Sequence, residues 1–222
     1  GEARFSADLD DYAYLIQGLL ELYEANFDMK WIRLAEELQA MQDKKLSDPE
    51  GGYFFTAEDD PNLIRRSKEY YDGALPNSNA VSVLNLLRLY GLTFHERYDE
   101  KAKKTLESSS LFLSKHPGAF GQMLIALNYY LDRSKEIAII GKLQDPETEK
   151  LLAFFRREFL PNKVVAFTSE DKAQDLPITA KKTMKEGKTT VYVCENQTCK
   201  LPTTDIEVIR KQVSEIKRYS LD

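Results

Sequence analysis

Cysteine and histidine are scarce in this chain. Two of each occur among 222 residues, beside a single Trp. Two cysteines cannot build the disulfide framework of a small secreted domain, so a reducing compartment is the default and a cytoplasmic location is expected. They also fall short of the four ligands that a structural zinc site needs, since no second cysteine or histidine pair exists. Neither G-x-G-x-x-G nor G-x-x-x-x-G-K occurs, so nucleotide binding has no support and no cofactor is expected. A cationic excess is missing too. Lys and Arg number 31 against 36 Asp and Glu, for a formal net charge of −5. That excludes a basic face that neutralises phosphates, and nucleic acid with it. No apolar run approaches the roughly 20 residues that cross a bilayer. No charged-then-apolar leader is present. The chain opens at Gly1-Glu2-Ala3 without Met, and is expected to be a processed protein or a piece of a longer one.

What is present is enough apolar residue, 42%, to bury a core of one large domain or two small ones. The stretch 8–23, DLDDYAYLIQGLLELY, returns at 77–90 as NSNAVSVLNLLRLY. A shift of 67 positions lays Ala13 on Ala80, Leu19 and Leu20 on Leu86 and Leu87, and Tyr23 on Tyr90. The same shift lays Trp31 on Tyr98 and Ala35 on Ala102. Each unit reads as a polar cap, an apolar helix, a turn and a more polar helix.

The period predicts a helix over 9–25, with Tyr12, Leu15, Ile16, Leu19, Leu22 and Tyr23 on its apolar stripe. Asp8, Asp10 and Asp11 sit at its positive end as caps. After the turn Asn26-Phe27-Asp28, a helix over 29–42 turns Trp31, Leu34, Ala35, Leu38 and Met41 inward, with Gln39 on a solvated face. A long loop follows, carrying a short strand at Tyr53-Phe54-Phe55-Thr56 and turns at 47–52 and 58–61. Loops of that length are functional or disordered, and the aromatics in this one argue for order. A buried helix is predicted over 78–92 and a helix from His95 to about Ser114 with Tyr98, Ala102, Leu106 and Leu113 inward. The break at His116-Pro117-Gly118 leads to a helix over 119–132. Beyond Ser134 the pattern changes. Residues 136–141 read as a buried parallel strand. Asp145-Pro146 opens a helix that includes Phe159, 163–167 is a second strand, 190–194 a third, and Thr204 to Glu207 a capping box for a helix to about Lys217.

The expected fold is therefore mainly α with an α/β tail. Residues 1–134 form a partial (α/α) toroid of helical hairpins, and residues 135–222 form a small three-layer-like α/β unit with a parallel sheet. Two and a half hairpins leave an open apolar flank. A missing N-terminal half of the toroid, or another chain, would cover it.

The stretches LDDYAYLIQGLLELYEA (9–25), DPEGGYFFT (48–56), DGALPNSNAVSVLNLLRL (72–89) and VYVCENQTCKLPTTD (191–205) resemble the C-terminal part of a thioredoxin-domain-containing, spermatogenesis-associated-protein-like family. That resemblance covers nearly the whole chain. It implies a thioredoxin-like domain, absent here, and a six-hairpin toroid similar to N-acylglucosamine 2-epimerases and glycosidases. It also implies a partner role for that thioredoxin-like domain and a sugar ligand.

The starts of the inner helices and the long loop are expected to meet at one mouth, gathering Asp10, Asp11, Tyr53, Glu58, Arg65, Arg66, Asp72, Asn77, Asn79 and His116. Carboxylates, amides and aromatic faces suit a polyhydroxylated ligand. Asp11 and Asp72 are the candidate catalytic pair, at ~5–5.5 Å for retention or ~6.5–9.5 Å for inversion of a glycosidic bond. The competing reading makes Asp10 and Asp11 helix caps and makes Asp72 and Asn77 turn formers. Epimerisation needs two bases, and only His95 and His116 exist, with His95 at the far end. Cys194 and Cys199 are redox candidates: a reversible disulfide, exchange with the thioredoxin-like domain, or two reduced thiols. Two functions follow: a sugar isomerase, epimerase or glycoside hydrolase-like pocket of carbohydrate metabolism, or a non-catalytic scaffold for the redox domain.

Overall fold

A computed structural model describes residues 6–58, 65–132 and 134–214. Two units cluster separately, Gly1–Tyr90 with His95–Tyr130 and Gly91–Phe94 with Leu131–Asp222.

In the first unit, helix α1 (Leu9–Asn26) starts where the Asp8 N–H donates to Asp11 Oδ2 at 2.9 Å. It stops at Phe27, whose φ of 56° is left-handed and ends the helical run. Asp28 then caps α2 (Met29–Leu46) by accepting from the Lys30 N–H. The second copy repeats this backbone. Helix α3 (Ser78–Thr93) is followed by Phe94, again at φ 56°, and α4 (Glu96–Lys115) opens two residues later, as α2 does after Phe27. A bulky residue in that region costs about 1–2 kcal/mol. Two copies bearing it 67 positions apart mark one turn used twice.

The helices α1 and α3 stand side by side. Asn85 Nδ2 donates to the Ala13 carbonyl at 2.8 Å, and Arg88 reaches Glu21 and Glu24 at 2.6 and 3.2 Å. The contacts ascend both helices together, so the two run in the same direction. Helix α2 meets α3 through Gln42 and Ser82, and meets α4 through Glu36 with Tyr98 and Asp43 with Lys101. Helix α3 is the core: Ala80, Val81, Val83, Leu86, Leu87 and Leu89 are all buried, each large aliphatic worth about 1.5–3 kcal/mol of transfer free energy. In α4, Tyr98, Ala102, Leu106 and Leu113 are buried as expected.

Other expectations need correction. Helix α2 runs four residues past 42, and its buried face is Ile32, Ala35, Gln39, Gln42 and Leu46. Gln39 is fully buried rather than solvated, because it donates to Asp43 and Tyr53, while Leu34 and Met41 are exposed. In α1, Leu15 and Leu22 are exposed as well. Residues 53–56 form no strand. A single antiparallel bridge joins Ser47 to Tyr53, since the Asn79 side chain takes the Tyr53 backbone groups and Phe54 and Phe55 bond to the backbone of Leu46, Ser67 and Leu9 in turn rather than to one neighbouring strand. After the 3-10 turn Pro117–Ala119, α5 (Gly121–Leu131) buries Met123, Ala126 and Tyr129 and leaves Leu124 exposed. Part of the expected 58–61 turn lies outside the described residues, as does the end of the last helix.

In the second unit, the strands β1 (Lys135–Ile140), β2 (Lys163–Thr168), β3 (Thr190–Glu195) and β4 (Thr198–Cys199) form one sheet in the order β2-β1-β3-β4. Helix α6 (Pro146–Arg157), capped by Asp145, connects β1 to its parallel neighbour β2. The sheet is mixed, not parallel: β3 runs antiparallel to β1, with Glu136 opposite Cys194. Residues 169–189 hold the short 3-10 turn Glu170–Lys172, further turns and a bridge between Lys185 and Lys188, but no crossover helix to carry the chain back for a third parallel strand. Phe159 lies beyond α6 and is 89% exposed. Helix α7 (Ile206–Ser214) is capped by Asp205, not Thr204: Asp205 Oδ1 accepts from the Glu207 N–H at 2.8 Å.

Candidate functional site

The loop between α2 and α3 is fixed from several sides. Gly51 and Gly52 adopt φ of 104° and 78°, and a Cβ on Gly51 would lie 2.5 Å from the Lys104 carbonyl oxygen. Only glycine lets this turn seat on α4, where the Gly52 N–H donates to Thr105 Oγ1. Asn79 holds the next residues. Its Oδ1 accepts from the Tyr53 N–H at 2.7 Å, and its Nδ2 donates to the carbonyls of Tyr53 and Glu69 at 2.9 and 3.1 Å. The Leu9 N–H donates to the Phe55 carbonyl, tying the start of α1 to the same loop.

These fastenings shape a cleft of about 490 Å³ at the N-terminal ends of α1 and α3. Asp10, Glu69, Tyr71, Asn77 and Asn79 supply its polar lining, and Leu9, Phe55 and Leu75 supply apolar faces. None of the described residues lining it is Lys, Arg or His. Tyr14 lies close by and donates its hydroxyl to the Pro76 carbonyl at 2.5 Å. Burial, then the charges of Asp10 and Asp72, push its phenol above the ordinary value. It stays a neutral donor at neutral pH.

Of the residues gathered from the sequence, Asp10, Asn77 and Asn79 come together in this cleft. Asp72 bonds the starts of α3 and α5: Oδ1 accepts from the Asn77 N–H at 2.8 Å and Oδ2 from the Gln122 N–H at 2.9 Å. Asp11 accepts from Asp8 and is exposed. Tyr53 is buried and reaches Asp43 at 2.7 Å. It borders a second recess of about 180 Å³ that also holds Lys101 and Lys104. Arg66 donates to the carbonyls of Thr56 and Lys45 and lies 4.0 Å over the Phe54 ring. Glu58, Arg65 and His116 are exposed, and His95 sits at the N-cap position of α4 without a side-chain bond to the helix start. Glu69, Tyr71 and Tyr14 escaped the sequence reading. Glu69 and Tyr71 alternate in the same loop as Asp72, which was the one signal for them. Among the described residues no group of three or more His, Cys, Asp or Glu could hold a metal ion, and no helix is long and apolar enough to cross a membrane. Cys194 and Cys199 are not reduced thiols: a disulfide joins them across the β3–β4 pair. Their directly opposed register places the two sulfurs within bonding reach.

Fold and site define a mainly α chain of paired helices with a polar cleft that has no cation among its described lining, accompanied by a mixed α/β unit. The particular proteins it is similar to are spermatogenesis-associated protein 20 of Homo sapiens and of Rattus norvegicus. Each is 37% identical over 209 residues, 91% of this chain, and 27% and 26% of their own lengths respectively. An uncharacterised protein of Caenorhabditis elegans is 32% identical over 215 residues, 95% of this chain and 29% of its own length. These matches support the spermatogenesis-associated protein 20 family. The chain spans about a quarter of the length of the curated relatives it matches. No protein-family model matches it.

Proposed function

We propose that this chain is a stretch of a spermatogenesis-associated protein 20-like protein whose paired helices are an arc of an (α/α) toroid, and that the cleft at the inner-helix starts binds a neutral polyhydroxylated ligand of carbohydrate type. The observation that carries the reading is the lining itself: two carboxylates, the Asn77 amide and a tyrosine beside aromatic and aliphatic faces, with no cation among the described residues. Such groups orient hydroxyls while apolar faces cover C–H faces. The same-direction packing of α1 with α3 supports the arc.

Binding is better supported than hydrolysis by Asp11 and Asp72. Both carboxylates are already hydrogen-bonded to backbone N–H groups. That spending also favours the second reading, a non-catalytic scaffold serving a thioredoxin-like domain elsewhere in the protein. Titration calorimetry of the full-length protein with neutral mono- and oligosaccharides separates the two. Binding that weakens in Asp10→Asn and Asn77→Ala supports the cleft. No heat from any sugar leaves the scaffold.

A further inference from the structure

The second unit carries a row of reactive groups that the cleft does not use. Directly opposed residues of an antiparallel pair place their side chains on one face, with Cβ atoms about 4.5–5.5 Å apart. Glu136 on β1 opposes Cys194 on β3, and Cys194 opposes Cys199 on β4. One face of the sheet therefore presents a carboxyl and the two bonded sulfurs in sequence. Exposure is graded along that row: Glu136 and Cys194 are buried, and Cys199 is exposed. Glu136 Oε2 accepts from the Gln197 N–H at 2.9 Å, in the turn between the two cysteines. Lys182 approaches the same face. Its ammonium lies 5.7 Å from the ring centre of Tyr192, which shares a face with Cys194 two residues on.

A staple for the fold would close a long loop. This bond closes a short one, and the chain entropy it removes grows only with the logarithm of loop length. The β3–β4 hairpin already has a two-residue turn, with Asn196 and Gln197 at φ 48° and 60°.

We propose that the Cys194–Cys199 disulfide is a reversible exchange site for dithiols, attacked at Cys199, with Glu136 as proton donor to the departing Cys194 sulfur. A thiolate reaches only the exposed Cys199 Sγ. As its sulfur bonds there, the bond to Cys194 breaks and Cys194 Sγ leaves with the electron pair. A thiolate buried opposite a carboxyl group is costly unless that carboxyl supplies a proton. The Glu136 carboxyl transfers its proton to that sulfur and regains one from solvent. Burial raises the proton affinity of Glu136, with the Gln197 N–H and the Lys182 charge acting against it. The second thiol of the dithiol loses its proton to solvent and attacks its own first sulfur. Cys199 Sγ is released and protonated from solvent. The dithiol gives up two electrons and becomes a disulfide, and the protein gains two thiols.

The groups facing Glu136 are Cys194 from β3, Val164 from β2, the Gln197 N–H from the turn and Lys182 from the covering loop. The test treats the full chain with millimolar dithiothreitol without denaturant and follows alkylation by mass. The native protein is expected to be reduced completely. Cys194→Ser is expected to take one glutathione from its disulfide at Cys199, and Cys199→Ser none at Cys194. Glu136→Gln keeps an acceptor for the Gln197 N–H, so it is expected to fold, shown by circular dichroism. Its reduction should be at least about tenfold slower, with a flattened pH profile. Lys182→Met removes the charge opposing protonation of Glu136 and should speed reduction at pH 7. A bond that resists dithiothreitol until denaturant is added overturns the site. Equal rates in Glu136→Gln, or an unchanged rate in Lys182→Met should the first variant not fold, overturn the role of Glu136.

Discussion

Asn79 gives the backbone of Tyr53 the pair of hydrogen bonds that a neighbouring strand would have made, and adds one to Glu69. Its amide is buried and its orientation is dictated: the oxygen faces an N–H and the nitrogen faces two carbonyls. Asn79→Asp keeps the shape and removes both donated bonds, placing a carboxylate against carbonyl oxygens. The expected cost is about 3–5 kcal/mol, read from urea unfolding. Asn77→Asp is the control. Asn77 Oδ1 accepts from the N–H groups of Asn79 and Ala80 at the start of α3, where negative charge is favoured, so it should change stability by under about 1 kcal/mol. Equal unfolding of the two variants would refute the strand-mimic role. Tyrosines set a second expectation at this scale. Burial raises the phenol pKa of Tyr23, Tyr53 and Tyr98, with Glu24, Asp43 and Glu36 adding to it, and Tyr98 reaches about 12. The proton is held more tightly in the folded state. Its stabilisation is complete below the unfolded value near ~10 and is lost as pH rises toward the folded values. The last part of the phenolate absorbance, that of the buried tyrosines, should therefore appear together with loss of the circular dichroism signal as pH rises beyond about 10, whereas exposed ones such as Tyr71 ionise without unfolding. Ionisation of all twelve tyrosines in a fully folded chain would contradict this.

At the scale of elements, the hairpin of α1 and α2 leaves apolar residues in water. Leu15 and Leu22 on α1 are 53% and 45% exposed, and Leu34 and Met41 on α2 are 39% and 46% exposed. They lie away from the residues that α1 and α2 turn toward α3 and α4, namely Ala13, Glu21, Glu36 and Asp43. Under the proposed arc, a further helical hairpin would cover them. Leu15→Glu with Met41→Glu should leave the thermal midpoint of this chain within a few degrees while reducing its self-association in sedimentation. In the full-length protein the same pair should destabilise by several kcal/mol, because two charges are then buried. Equal tolerance in both would show that nothing packs there. The same residues explain what the sequence made legible. Period alone located α1 to α5 within a few residues and found the 67-residue repeat, because burial of α3 and the turns at Phe27 and Phe94 leave strong local marks. It placed Ala35 inward correctly but misplaced the rest of the buried face of α2, since Leu34 and Met41 look like core by period alone, and since Gln39 is buried by hydrogen bonds that no apolar pattern records. The reversed β3 was hidden for a related reason: strand direction depends on the path of residues 169–189, whose polar composition says nothing about where they lead. Of the cleft, the helix starts were legible through Asp10 and Asn77. Glu69 and Tyr71 were not, because a loop has no period.

For the molecule as a whole, charge decides which ligands suit the cleft. The chain carries −5 formally, and Asp10 and Glu69 face the cleft without a cation among its described lining. A phosphorylated sugar meets repulsion there that a neutral one does not. With two unit charges at 4 Å worth about 1 kcal/mol even in water, and more beside protein, the neutral sugar should bind at least about fivefold more tightly at low salt. The preference should shrink as salt is raised, because the screening length falls from about 30 Å at 0.01 M to about 3 Å at 1 M. An amino sugar should reverse the sign, binding most tightly at low salt and losing its advantage with screening. Asp10→Asn should narrow both differences without altering the neutral sugar by more than one hydrogen bond, about 0.5–1.5 kcal/mol. Calorimetry on the full-length protein across that salt range reads all three. Tighter binding of the phosphorylated sugar at low salt would place the ligand against a basic surface instead, and the cleft beside Asp10 would lose its role.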